Sequence, residues 1–248
     1  AGLRRDRDPI VIHLYSEFLQ RSRLAAQGKH KGKQPPDRLR QRVQTYFDPL
    51  PFFYAPLEQQ ATDTTKYPLN AVTQRPMAMY HSWDSQNAWL RQIHSHNYLH
   101  VNPQTAQAAG IPDGGWMWVE SPWGKVRCMC RHSEAVEPGT VWTWNAIGKQ
   151  SGAWHLEPGA NESRKGFLLN HLISEELPAA AGGTALSNSD PITGQAAWYD
   201  VRVRIYPAQA GEPEESWPQF DTLRAVPGMG STPKKRQGWM AGRVRSKP

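Results

Sequence analysis

A chain of 248 residues has room for one large domain, or for one domain with extensions. Mean hydropathy is −0.69, and no apolar run approaches the roughly 18 residues of a membrane-spanning helix. Net charge is +7, yet residues 1–42 hold 11 Lys and Arg against four Asp and Glu, while the other 206 residues hold 18 of each. The basic character therefore belongs to an N-terminal arm, and a nucleic-acid surface spread over the body loses support.

Eleven Trp in so polar a chain imply a real core or flat ligand surfaces. The two cysteines, Cys128 and Cys130, share one face of a strand and are poorly placed to bridge each other. A structural zinc takes four ligands and an iron–sulfur cluster usually four cysteines, so both read as packing thiols of a reducing compartment. The chain opens Ala-Gly-Leu-Arg-Arg, with neither Met nor an apolar signal behind it, and reads as a processed chain or a piece of something longer.

Asp8-Pro9 is a helix-opening pair. Val11, Leu14, Tyr15 and Phe18 form the apolar stripe behind it, and Gly28 is its stop. Residues 29–36 are a basic linker and 38–46 a short second helix. Residues 48–56, DPLPFFYAP, are extended and expected to pack along the body. Residues 67–75 alternate as a strand that stops before Pro76, because the residue preceding a proline avoids the helical region. A helix is predicted over 84–94 with Trp89, Leu90 and Ile93 inward, then a strand over 99–101. Asn102-Pro103 caps a helix that Gly110 ends. Strands follow at 116–120, 125–132 and 141–144, a long loop at 145–166, the apolar trio 167–169, a second loop at 178–196, and a last strand over 198–206. Beyond residue 207 no period survives, and the tail carries a second basic cluster that includes Lys234, Lys235 and Arg236. The organisation expected is an arm over 1–65, a body over 66–206 and a tail over 207–248. Many short strands joined by Gly and Pro turns suggest a small closed β-barrel.

The densest chemistry lies in YPLNAVTQRPMAMYHS, residues 67–82. Thr73, Gln74, Arg75, Tyr80, His81 and Ser82 place several donors and one fixed cation just past a strand end. That suits an anionic, hydrogen-bond-rich ligand, since the planar fork of Arg donates two bonds at once to phosphate. His94, His96 and His100 alternate, but no carboxylate or cysteine accompanies them as a metal site would need. Two other classes compete: a basic nucleic-acid-binding barrel, and a non-enzymatic interaction module.

The order of motifs resembles the C-terminal molybdopterin-dinucleotide-binding domain of the DMSO-reductase family of molybdenum oxidoreductases. Thr73-Gln74-Arg75 and His81-Ser82 stand for a strand ending in Thr-Gly-Arg followed by His-Ser. Asn102-Pro103 through Gly110-Ile111, Gly114-Gly115, the strand pair across Ser121–Gly124, Leu168-Leu169-Asn170 and Asp190-Pro191 follow in the family's order. The likeness covers about residues 66–206. Gln74 replaces Gly, Gly115 replaces Asp, and Tyr199 stands where nitrate reductases tend to carry Lys. Asn161-Glu162-Ser163 ahead of the apolar Asn is most similar to the sulfite dehydrogenase and polysulfide reductase-like branch.

What the resemblance implies is a double-psi β-barrel of the aspartate-decarboxylase-like kind, with short helices, a helical basic arm and an irregular tail. It implies molybdenum or tungsten held by a pair of molybdopterin guanine dinucleotides, and an iron–sulfur cluster upstream in a longer parent. Arg75 would take the pyrophosphate; Thr73, His81 and Ser82 the pterin side; Asn170 a pterin edge; Gln74, Tyr80, Gln195 and Tyr199 further contacts. Trp144 and Asn145 would line a substrate funnel. No catalytic residue and no metal ligand are expected in this piece, so the isolated chain is expected to be inactive. The implied partners are the upstream domains and an iron–sulfur electron-transfer subunit, with room for a membrane anchor and with no nucleic acid. The implied location is cytoplasmic, with attachment to a membrane through partner subunits.

Overall fold

The computed structural model describes residues 14–80, 83, 87–145, 147, 161–178, 186–196, 201–214 and 218–220. Alternation builds the first strand, β1 (Leu69–Gln74): Leu69, Ala71 and Thr73 face inward and are buried, while Gln74 is exposed. It pairs in parallel with β5 (Thr140–Trp144) and antiparallel with β8 (Val201–Pro207). β8 continues to β3 (Trp116–Ser121), and β3 to β4 (Gly124–His132) across a tight turn. β4 then pairs in parallel with β2 (Tyr98–Val101), which returns antiparallel to β5. The circuit β2-β5-β1-β8-β3-β4 thus closes on itself, a six-stranded barrel with two parallel pairs and no free edge within the ring. It is the double-psi barrel. Leu99, Val101, Met117, Val119, Val141 and Val203 fill it, with Cys128 and Cys130 among them. Both cysteines are free, and burial raises both thiols, Cys130 to about 12.

These directions collect chain ends. β1, β3 and β5 finish, and β2, β4 and β8 start, at one end of the barrel. The segment from Lys165 to Leu172 crosses that end. Phe167, Leu169 and Leu172 sink into the core, and a 3-10 turn over Leu169–Leu172 exposes Asn170. At the other end Asn102 caps α5 (Pro103–Ala108), and Gly110, with φ 69°, ends it in the left-handed region that glycine adopts without strain.

The arm folds otherwise than its apolar pattern suggests. Helix α1 runs Glu17–Ala26 from a Ser16 cap, and the Asp8-Pro9 pair lies outside the described residues. Leu14, Tyr15 and Phe18 are exposed; the helix instead buries Ala25 and Ala26 against α2 (Asp37–Tyr46). Phe52 and Phe53 are exposed too, because the extended segment is tied to the arm and not to the barrel. Ser16 N donates to Pro49 O over 2.8 Å, Arg23 pairs with Asp48 at 2.6 Å, and Tyr54 donates to Thr45 O. What fastens the arm is polar. Arg42 donates to Pro191 O (2.8 Å) and Asp190 O (3.0 Å), and the short helix α3 (Leu57–Ala61), which the sequence pattern does not reveal, buries Glu58.

Two further corrections concern the body and the tail. The helix after β1 is α4 (Ala88–Ile93), capped by Asn87, and at six residues it is too short to lay a stripe on the barrel: Trp89 is 79% exposed and Ile93 65%. The chain beyond residue 207 is not all irregular, since β9 (Pro218–Phe220) adds to the edge of β4. β6 (Glu176–Leu177), just ahead of the second loop, and β7 (Leu186–Ser187), inside it, form a small separate ribbon.

Candidate functional site

Because β1 and β5 are parallel and in register, their last residues lie side by side, Thr73 against Thr143 and Gln74 against Trp144. The pairing continues one step further, where Asn145 N donates to Gln74 O over 2.8 Å. Thr73 points into the barrel and is nearly covered, whereas Gln74 and Arg75 emerge from its rim into solvent. Pro76 then turns the chain, and Tyr80 follows, also exposed.

The strap over the same rim is held by buried groups at both ends. Asn97, 3% exposed, donates from Nδ2 to Trp144 O (2.9 Å) and Phe167 O (3.2 Å), and its backbone N donates to Lys165 O (2.8 Å). Its Oδ1 accepts from the Thr143 hydroxyl at 2.8 Å. At the far end the Ser121 hydroxyl donates to Leu172 O at 2.7 Å. Between these ties stand Asn170, exposed, and His171, whose burial lowers its pKa and favours a neutral ring.

On the outer face of β5 a row of rings runs toward this rim. His100 stacks on Trp142 with centroids 4.0 Å apart and planes 5° from parallel. Trp142 meets Trp144 edge-on at 4.8 Å, and Trp144 lies 5.4 Å from His94. The histidines of the alternating run are thus engaged with aromatic rings, His96 with Tyr98 included. Beyond β1, Met77, Tyr80, Trp83, Trp89 and Ile93 leave large apolar surface in solvent.

Of the residues expected at a ligand site, Thr73, Gln74, Arg75, Trp144 and Asn145 meet at the paired ends of β1 and β5, and Asn170 lies on the strap over the same end. Gln195 sits in the Asp190–Gln195 turn, whose backbone is held on α2 by Arg42. His81, Ser82 and Tyr199 lie outside the described residues. Asn97 and Ser121, which tie the strap, carry no such signal in the sequence: an Asn ahead of a strand and a Ser ahead of a Pro read as ordinary cap and turn residues.

The donor set fits a dinucleotide. A fixed cation and an amide emerge beside each other from a strand end, a second exposed amide sits on the tethered turn over the same end, and none of these groups is acidic. Pyrophosphate takes the first kind of group and a pterin edge, both donor and acceptor, the second.

Residues 69–189 match the family described as Molydopterin dinucleotide binding domain. Over 240 residues the chain is 70% identical to a sulfite dehydrogenase subunit of Allochromatium vinosum, covering 97% of this chain and 24% of that protein. It is 31% identical over 99 residues to acetylene hydratase of Syntrophotalea acetylenica, 38% of this chain and 14% of the hydratase. With the dimethyl sulfoxide/trimethylamine N-oxide reductase of Cereibacter sphaeroides it shares 31% identity over 113 residues, 44% of this chain and 13% of the reductase. Among solved structures, acetylene hydratase from Pelobacter acetylenicus superimposes with a TM-score of 0.50 at 22% identity, over 65% of this chain and 22% of that one, a likeness of fold. The chain spans about a quarter of the length of the sulfite dehydrogenase protein it matches. The matched segment holds five of the six barrel strands and the strap, so residues 69–189 are a molybdopterin dinucleotide binding domain.

Proposed function

We propose that this chain holds one side of a pair of molybdopterin guanine dinucleotides in the catalytic subunit of a molybdenum (or tungsten) oxidoreductase that acts on a sulfur oxyanion, sulfite first. The observation that carries the reading is the convergence at one rim: Gln74 and Arg75 from β1, Trp144 and Asn145 from β5, and Asn170 on the strap across that end. The choice of sulfite rests on the likeness to the sulfite dehydrogenase protein, which runs through the arm as well as the barrel.

In this reading Arg75 pairs with the pyrophosphate. His81 and Ser82 are assigned to the pterin side together with Thr73, which the barrel covers and which acts through the strand end that it anchors; Asn170 holds a pterin edge, and Gln74, Tyr80, Gln195 and Tyr199 add contacts. Trp144 and Asn145 border the substrate approach. The metallopterin, when bound, supplies the redox chemistry; the chain supplies orientation and charge. Metal ligand and iron–sulfur ligands belong to the remainder of the longer polypeptide, with a membrane anchor and an iron–sulfur protein as partners, on the cytoplasmic side. Half a cradle binds a large ligand weakly, because the contacts must first offset its lost freedom, so the isolated chain is inactive.

The test is to purify the protein from its complete reading frame and measure guanine nucleotide and molybdenum per polypeptide, with sulfite-dependent reduction of an artificial acceptor. Arg75→Gln should lower nucleotide content about tenfold, as loss of a charge-assisted pair implies. Unaltered protein that releases no nucleotide ends the reading. A nucleic-acid protein would instead show binding that falls steeply with salt.

A further inference from the structure

We infer that Asn97 is a positioning residue of the cofactor clamp, acting through Asn170, with Ser121 as its counterpart at the other end of the strap; the inference rests on the function proposed above. Among the described hydrogen bonds Asn97 meets neither Arg75 nor Asn170, yet it joins the two walls that carry them. Its Nδ2 spans two carbonyls, one on Trp144 at the end of β5 and one on Phe167 at the start of the strap. The next residue after Trp144, Asn145, is bonded to Gln74 O, so a single run of hydrogen bonds leads from the Arg75 wall to the Asn170 wall.

The side chain is aligned by Thr143. The hydroxyl donates a hydrogen bond to Asn97 Oδ1, which directs the amide nitrogen toward the two carbonyls. With Asn97 3% exposed, an amide turned the other way would set oxygen against two buried carbonyl oxygens. The backbone N of the same residue holds Lys165 O, so the strap is gripped at two points before it turns. Asn170 lies three residues past Phe167 and two before Leu172, whose carbonyl Ser121 holds. The exposed amide is therefore suspended between two buried ties, and a shift of either moves it relative to Arg75. A site that is out by a small distance loses much of its binding, which is why supporting bonds of this kind matter.

Asn102 supplies a matched control. It stands at the opposite end of the same short strand, donates to Val136 O at 2.7 Å and accepts from Gln104 N at 2.9 Å, so its loss removes comparable bonds far from the rim. In protein from the complete reading frame, Asn97→Ala, Ser121→Ala, Asn102→Ala, Asn170→Ala and the pair Asn97→Ala with Asn170→Ala are compared. Nucleotide per polypeptide is read together with the thermal midpoint. Asn97→Ala should lower nucleotide content about tenfold and Ser121→Ala less, while Asn102→Ala lowers the midpoint but keeps its nucleotide. The double variant should lose little beyond Asn170→Ala alone, the signature of two residues acting on one contact. Should Asn97→Ala not fold, Ser121→Ala carries the same comparison with a smaller change. Nucleotide loss that merely tracks the midpoint across all variants, or losses that add in full, would overturn the inference while leaving the function standing. Absence of nucleotide from the unaltered protein removes both.

Discussion

Arg202 donates from Nη1 to Asn70 Oδ1 across 2.6 Å, and the two residues are direct partners in β8 and β1. Its Nε and Nη2 reach Tyr67 O (3.1 Å) and Pro68 O (2.9 Å), so one guanidinium pins the chain as it enters β1. Arg202 is 8% exposed. Arg202→Met should destabilise by about 1–3 kcal/mol, because one buried and two partly buried acceptors lose their donor at once. Arg202→Lys should recover less than half, since an ammonium cannot spread over three acceptors in the guanidinium's fork. Urea titrations of both variants, read at constant slope, check this.

Glu58, 1% exposed, accepts from Trp123 Nε1 at 3.1 Å and Asn188 Nδ2 at 3.0 Å. It links the arm to the β3–β4 turn and to the loop before Asp190. Glu58→Ala strips the acceptor from one buried and one half-buried donor and should cost about 1–3 kcal/mol, and Glu58→Gln less, because one amide oxygen still accepts. The arm should then be cut by protease ahead of the barrel when the unaltered chain resists. Equal resistance would place the fastening elsewhere, with Arg42 as the next residue to test.

The barrel strands are legible because each carries its own signal: a period of two, bounded by Gly, Pro or Asn. The cap at Asn102 and the stop at Gly110 are local chemistry, and both stand as expected. Arg75 is legible for the same reason, as a cation placed just past a strand end. The failures share another cause. Apolar spacing points Phe18, Trp89 and Ile93 inward, yet spacing says which face is apolar and not whether anything covers it. Glu58, Asn97 and Arg202 are invisible in sequence because buried polar groups are defined by distant partners, 130 residues away for Glu58 with Asn188. β9 escapes since three residues pairing on an edge have no period to read.

The resemblance leads one to expect Asp where Gly115 stands, and the local packing argues against that side chain here. A Cβ on Gly115 would lie 2.8 Å from Pro112 Cγ and 3.0 Å from Pro112 O. The ring cannot swing away, and Gly115 N is itself bonded to Pro112 O at 3.0 Å while Gly115 O accepts from Cys130 N. Gly115→Ala and Gly115→Asp should both destabilise, by about 1–3 kcal/mol, through overpacking. Thermal midpoints decide; an unchanged midpoint for the Asp variant would show that Pro112 yields.

His100 sets the acid side of the stability curve. Burial, with the positive charge of Arg131 behind it, holds its pKa down at about 4, and its ring is stacked on Trp142. In the unfolded chain a His titrates near about 6.5. Between those values the unfolded state takes up a proton that the folded state refuses, so stability falls as pH drops through that window. Below about 4 the folded ring protonates too, and the contribution stops changing. His171, lowered by burial, adds a slope of the same sign. Asp113 and Asp190 have pKa values held low chiefly by backbone N–H groups, of His132 and Thr193 respectively. Both lose their stabilising effect only below about 4. His100→Phe keeps a ring against Trp142 and removes the titration. Its stability should depend less steeply on pH than the unaltered protein's between about 4 and 6.5, with parallel curves above that range. Denaturant midpoints across pH measure this, and a variant that runs parallel throughout would show that His100 titrates alike in the folded and unfolded states.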